Sequence, residues 1–265
     1  MNLLSALGRL FFAISLAAFG IQYLHYGHYI GGLPPVPPWA PGGAIGAYMI
    51  GAILLAAGFS IAANLYARVS SFFLGIIFLL SALLLHTWKF HDLLFDGNAR
   101  TRVLDVLALG AAALVLAAAS PAAPFLSNST NSAIVKLAKL GVLLFALTLV
   151  IFGGQHFQFA KFIAFLIPAW MPAHLFLAYF TGVAMIATGL AEFGAGLSSA
   201  FDAVAKLTTL LLALMFFIFV ATLHAPRVAA KLQNGDEWSS LFVALAMCGA
   251  SLILASHYSN RDASS

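Results

Sequence analysis

The histidines of this sequence are its best candidates for chemistry, because they are unevenly placed along the chain. Neutral imidazole can bind haem iron or copper, or hydrogen-bond a quinone carbonyl. His257 lies at one end of its apolar segment, and the other seven lie towards the opposite side of the predicted bundle: His25, His28, His86, His91, His156, His174 and His224. Among these, His25 and His28 have the i, i+3 spacing with which one helix could chelate a metal ion, if the helix continues that far.

Two glutamines lie near these histidines at matching places in the sequence. Gln22 stands in FGIQ and Gln155 in FGGQ, while His86 in LLLHT matches His224 in ATLHA. Polar side chains at membrane depth are costly, so they tend to face a cavity or each other and to mark function. The sequence therefore predicts two cofactor-binding pockets, one lined by Gln22, His25 and His86 and the other by Gln155, His156 and His224.

The identity of the cofactor is left open between quinone, haem and copper. The candidate metal ligands are His25, His28, His86 and His224, and a haem would need two of them to face each other across the bundle. The alternative is that histidines near helix ends are solvated in the headgroup zone and have only a structural role.

The acidic residues of the apolar segments are few. Asp105 follows Arg102, and Asp92 follows Lys89, so both are expected in ion pairs at the membrane interface. Glu192 has no obvious partner in sequence, which leaves a proton path or simple solvation near a helix end. No Ser-His-Asp order, phosphate-binding glycine loop or zincin helix is present, which argues against a hydrolase or a nucleotide-driven enzyme.

The composition is that of an integral membrane protein. Hydrophobic residues make up 63% of the chain and charged residues 8%, and the mean hydropathy is +1.02. Soluble proteins contain roughly 25% charged residues, so lipid must be the solvent here. Cys248 is the single cysteine, which excludes an internal disulfide and a thiolate zinc site.

Runs of about 20 apolar residues cross a bilayer as helices. Eight such runs predict an all-α integral membrane fold: 4–26, 44–65, 70–90, 102–120, 137–158, 174–194, 203–224 and 239–257. The net charge of +4 comes from residues at the ends of these runs and is no argument for nucleic acid. Because basic residues are divided six to six between the two sides, the positive-inside rule does not orient the chain.

The chain also carries an internal repeat. Residues 36–52 (VPPWAPGGAIGAYMIGA) align with residues 167–183 (IPAWMPAHLFLAYFTGV) at an offset of 131, with matching prolines, tryptophan, tyrosine and glycine. We predict two parallel-repeat four-helix bundles, 1–120 and 136–265, joined by a linker at 121–135. Four helices per unit place both proline-rich loops on one side, with Trp39 and Trp170 as interfacial anchors.

The repeated unit resembles the DoxX-like family of small four-helix membrane proteins. The resemblance is carried by Arg9 in the first helix, by Pro37–Pro41 with Gly51, and by Pro168–Pro172 with Thr181-Gly182. That family includes the DoxD-type membrane subunit of thiosulfate:quinone oxidoreductase. The resemblance implies a quinone-linked or redox-accessory role in a prokaryotic cytoplasmic membrane.

Three functions follow as hypotheses. The first is an integral membrane subunit of a redox or respiratory assembly that holds a quinone or a histidine-ligated metal near the proline-rich loops and meets other membrane or peripheral redox subunits. The second is a non-catalytic structural subunit of a larger complex. The third is a transporter for a small solute or a metal ion, which the repeat favours but for which the sequence offers no paired buried charges.

Overall fold

The structure of the protein, a computed structural model, describes residues 3–86 and 95–262, except for the side chains of residues 260 and 262. Those residues form ten α-helices, two of which continue into a π-helical turn, and no strand. The helices are α1 (Leu3–Tyr26), α2 (Gly43–Ala62), α3 (Ala67–Ser81, then π-helical over Ala82–His86), α4 (Gly97–Ala119), α5 (Asn128–Gln158), α6 (Ala160–Leu166), α7 (His174–Leu197), α8 (Asp202–Phe219, then π-helical over Val220–His224), α9 (Ala225–Ala230) and α10 (Gly235–Asp262).

Eight helical segments in the described part of the chain are long and apolar enough to cross a membrane, which confirms the predicted all-α membrane fold. They are Leu3–Tyr26, Gly43–Ala62, Ala67–His86, Gly97–Ala119, Asn128–Gln158, His174–Leu197, Ser199–Ala230 and Gly235–Ser259. Several begin earlier than the apolar runs predict, because polar side chains cap them. Ser127 accepts a hydrogen bond from the Thr130 amide, so α5 starts within the predicted linker 121–135.

The packing of the helices places two of them at the centre. Neighbours follow one another in a ring, α1–α2–α3–α4–α5–α7–α8–α10 and back to α1, while α4 and α10 also pack against each other across the middle. In the most apolar 18-residue stretch of α4 and α10, 67% and 72% of residues are buried, against 33–44% in the other six spans. The outer helices therefore present one face to lipid, and α4 and α10 form the protein core.

Glycines allow close helix approaches, and these approaches recur in the two halves. A Cβ on Gly51 would lie 3.0 Å from the Gly20 carbonyl oxygen, and one on Gly182 would lie 3.0 Å from that of Gly153. The first pair joins α1 to α2 and the second joins α5 to α7.

A second seam joins the halves to each other. A Cβ on Gly8 would lie 2.9 Å from the Gly249 carbonyl oxygen, between α1 and α10, and one on Gly141 would lie 2.6 Å from that of Ala111, between α5 and α4. Such recurring contacts are what a duplicated unit produces. The parallel orientation of two units, and the domain boundary, stay predictions.

Residues 33–37 of the first proline-rich segment are buried, whereas the tryptophan of each proline-rich segment is exposed. After α1, residues 33–37 are buried beneath the end of the bundle. The Tyr23 hydroxyl donates to the Leu33 carbonyl at 2.9 Å and lies 3.3 Å from the Val36 amide. Trp39 and Trp170, by contrast, are 43% and 71% exposed, as interfacial anchors require.

Candidate functional site

A small polar cavity lies beneath the first proline-rich loop. Its volume is about 10 Å³, which is room for about one water molecule. Residues of the loop form one wall, and Val106 and three ionisable residues, His86, Arg102 and Asp105, line the rest. Arg102 lies close to the loop, since a Cβ on Gly31 would be 3.3 Å from its Nη2.

His86 reaches this cavity from the π-helical end of α3. Its Nδ1 lies 3.1 Å from the Ser81 carbonyl oxygen, five residues earlier, which orients the ring and leaves Nε2 for another partner. The Ser81 hydroxyl in turn donates to the carbonyl of Pro35 in the loop. Ser81 thus contacts both the His86 ring and the loop.

The two predicted glutamines bond to corresponding helices of the opposite half. Gln22 of α1 accepts a hydrogen bond from the Ser239 hydroxyl of α10 at 3.0 Å. Gln155 of α5 donates to the Gly97 carbonyl at 3.2 Å and lies 3.4 Å from the Thr101 hydroxyl, both in α4. Both glutamines are less than 9% exposed.

Each of these amides keeps one buried atom without a hydrogen-bond partner in the described residues. That atom is Nε2 in Gln22 and Oε1 in Gln155. The Nδ1 atom of His224 is also buried without a hydrogen-bond partner among the described residues. Buried polar atoms are nearly always paired, so each of these atoms marks a position where a ligand or water can bond.

His224 lies beside a charged cluster at the start of α10. Glu237, 6% exposed, forms an ion pair with Arg227 at 2.9 Å and lies 3.6 Å from the Lys231 ammonium. His224 interacts electrostatically with both Arg227 and Glu237. The cluster fixes α9 and α10 relative to the π-helical end of α8.

The remaining predicted histidines have local partners. His25 and His28 are exposed, and both rings pack edge-on against Tyr26, at centroid distances of 4.8 and 6.0 Å. His156 Nδ1 lies 2.9 Å from the Phe152 carbonyl oxygen. His174 Nε2 likewise lies 3.1 Å from that of Pro168, and His91 lies outside the described residues.

The sequence analysis groups each glutamine with histidines of its own half, whereas these contacts link each glutamine to a central helix beside a histidine of the other half. Gln22 bonds to α10, which packs against the segment carrying His224, and Gln155 bonds to α4, which packs against the segment carrying His86. Each glutamine is therefore linked through a central helix to the histidine of the other half. Among the described residues, no three His, Cys, Asp or Glu side chains are grouped to hold a metal ion. Ligation by His25, His28, His86 or His224 stays a prediction.

A second polar group lies near the opposite ends of the helices and was largely missed from the sequence. Glu192 is 0% exposed, so the expectation of a solvated carboxylate is wrong. Asp202 is 2% exposed and pairs with Arg261 at 3.1 Å. The signals available were Glu192 inside an apolar run and Asp202 and Arg261 at the ends of two others.

The fold and these two polar groups define an all-α integral membrane protein with ionisable side chains buried towards both ends of its helices. Comparisons with protein-family models, with curated proteins and with solved structures find no match to the chain. The DoxX-like resemblance therefore stays a prediction.

Proposed function

We propose that the protein is a membrane subunit of a redox or respiratory assembly in a prokaryotic cytoplasmic membrane, and that it binds a quinone head group on the side of the proline-rich loops. The observation that carries the proposal is the set of buried, unpartnered polar atoms there, Gln22 Nε2 and His224 Nδ1 above all. A quinone has two carbonyl oxygens that accept hydrogen bonds from amide and imidazole N–H groups. Its apolar tail is soluble in the surrounding lipid.

A second place for the head group on the same side is the cavity beneath the loop, which His86 lines but Gln22 and His224 do not. This cavity is smaller than a quinone ring, so binding there requires residues 31–37 to move aside. Among the described residues, the side-chain hydrogen bonds to this segment come from the Tyr23 and Ser81 hydroxyls, and Arg102 and Asp236 lie close to Gly31 and Gly32. Arg102 and Asp105 would then face the head group and could donate to or accept from its oxygens. Movement of a loop over a site is a common means of admitting a ligand and excluding water.

The test is to purify the protein in mild detergent and to measure extracted quinone, metal content and the visible spectrum. We expect co-purified quinone, and loss of most of it in the His86→Ala/His224→Ala double variant. His257→Ala is the matched control, because His257 lies at the opposite ends of the helices, and it should keep the quinone. Unchanged quinone content in the double variant, or no binding of added quinone by the wild type, would refute the proposal.

A second candidate is a small-solute or metal-ion transporter. The sequence offers no paired buried charges for a transporter, but in the structure the buried Asp202 pairs with Arg261, whose side chain is 37% exposed, and Glu192 is buried on the same side of the bundle. Charged groups buried among membrane helices commonly mark ion or proton pathways. Solute or cation flux in proteoliposomes, abolished by Asp202→Asn, would favour this candidate over the redox subunit.

A further inference from the structure

Glu192 of α7 lies in a closed, oxygen-lined site among α7, α8 and α10. The carboxyl is 0% exposed, as are the neighbouring Thr209 of α8 and Tyr258 of α10. Glu192 Oε1 lies 3.3 Å from the Thr209 hydroxyl oxygen. Glu192 Oε2 and the Tyr258 hydroxyl have no hydrogen-bond partner among the described residues.

The contacts of Thr209 indicate which group carries the hydrogen. Its hydroxyl oxygen is 2.5 Å from the Ala205 carbonyl oxygen, a carbonyl that can only accept. A hydroxyl has one hydrogen to donate and two lone pairs with which to accept. With that hydrogen directed to Ala205, the longer contact to Glu192 is best satisfied when the carboxyl is the donor and is therefore protonated.

The cost of burying a negative charge also indicates that the Glu192 carboxyl is protonated. An ionised carboxylate in a low-dielectric interior is stable only when a cation or several donors compensate it. Arg261, a cation on this side of the bundle, pairs with Asp202 at 3.1 Å and donates to the Ala195 carbonyl at 3.1 Å. Among the described residues, Glu192 has one hydrogen-bonding contact, with the Thr209 hydroxyl, which is poor compensation for a full negative charge.

The fold does not itself require a carboxyl at this position. Gly58 and Gly189, which are 131 residues apart, make corresponding close contacts with Ala13 and Ala146. At the same offset the counterpart of Glu192 is Ile61, which is also 0% exposed. An apolar side chain therefore fills the equivalent place in the first half, and the acid in the second half needs another explanation.

Polar groups connect the site to the surface that carries the chain termini. Tyr258 interacts electrostatically with Glu192, Asp202 and Arg261, and the Arg261 side chain is 37% exposed. Tyr258 and Arg261 lie three residues apart on α10, so they are neighbours on one face of that helix, and Tyr258 is within electrostatic range of the buried carboxyl. Among the side chains that the structure describes, Lys206, near the start of α8, and His257, beside Tyr258, are the other titratable groups of α7, α8 and α10 on that side.

We propose that Glu192 is a proton-binding site that exchanges its proton with the termini side of the membrane by way of Tyr258 and the Asp202–Arg261 pair. The ligand is the proton itself, held on a carboxyl oxygen beside Thr209. The site is separate from the quinone proposed near the proline-rich loops, and either one can fail without the other.

The experiment is infrared spectroscopy of the protein in lipid at neutral pH, comparing wild type with Glu192→Gln. We expect the wild type to show the C=O stretching band of a protonated carboxylic acid, and the variant to lack it. In D₂O buffer the band should move to lower frequency, because the proton exchanges. Tyr258→Phe should slow that exchange while keeping the band.

Two further variants provide a second reference without the Glu192 carboxyl and a control for another buried carboxyl. Glu192→Ile copies the residue at the matching position of the first half, so it supplies a second folded reference if Glu192→Gln is poorly behaved. Glu237→Gln is the matched control, since Glu237 is equally buried but paired with Arg227, and it should leave the band unchanged. Absence of the band from wild type, failure to shift in D₂O, or its loss on adding Na⁺ at constant pH would each overturn the proposal.

Discussion

Replacing Gly153 by alanine should destabilise the protein, whereas the same change at the next residue should not. A Cβ on Gly153 would lie 2.5 Å from both the Gly182 carbonyl oxygen and Ile186 Cγ1. A Cβ on Gly154 would meet nothing within 4 Å. The two substitutions have the same chemistry on the same helix, so their difference isolates the contact between α5 and α7.

The size of the effect follows from the geometry. Real Cβ atoms essentially never approach closer than 3.0 Å, so at Gly153 something must shift by at least about 0.5 Å. Part of the obstacle is the backbone of α7, which cannot move alone, and overpacking of this kind costs about 1–3 kcal/mol. The gain in helix propensity from glycine to alanine, about 1 kcal/mol, is common to both variants and cancels in the comparison.

The assay is thermal unfolding of both variants in the same detergent. A difference of about 2 kcal/mol corresponds to about 4–8 °C in a chain of this size, with Gly153→Ala the lower. Gly154→Ala should unfold at or slightly above the wild-type temperature. Equal unfolding temperatures for the two variants would show that α5 and α7 do not approach closely at Gly153, and would refute the packing described for this seam.

Two more predictions concern the side with the proline-rich loops. Tyr23→Phe removes the hydroxyl that bonds to Leu33 and Val36. It should lower the unfolding free energy by about 1–3 kcal/mol and speed amide hydrogen exchange in residues 33–37. Unchanged exchange would show that Tyr23 does not anchor this segment. In variants that keep only Trp39 or only Trp170, fluorescence should be quenched more by lipids brominated near the headgroup than by lipids brominated deep in the chain, because both indoles are exposed at helix ends. The opposite order would show that these loops do not lie at the interface.

The sequence was sufficient for the number and approximate position of the membrane helices, because a span is set by the length of an apolar run. It was less accurate for their ends, which depend on individual polar contacts. Asp96 caps α4 by accepting from the Asn98 amide, and α4 therefore begins at Gly97, five residues before the predicted start. The length of an apolar run does not show where such a capping residue begins the helix.

The candidate site was predicted in part. Gln22 and Gln155 are buried polar residues on the expected side, and that much follows from their depth in apolar segments. Their partners, Ser239 and Thr101, were not predictable, because pattern along one helix does not say which helix packs beside it. The burial of Glu192 was missed for the same reason: whether a carboxyl near a helix end faces solvent or protein depends on rotation about the helix axis.

The contact between the first helix and the last has a consequence for how the chain is made. As a ribosome feeds the chain into the bilayer, α1 enters before α10 and lacks that one of its two neighbours until α10 has been synthesised, more than 200 residues later. Until then Gly8 and the buried face around it must rest against lipid or an insertion factor. A polypeptide truncated before α10 would leave both α1 and α4 without their central neighbour, so membrane quality-control proteases should remove such fragments quickly.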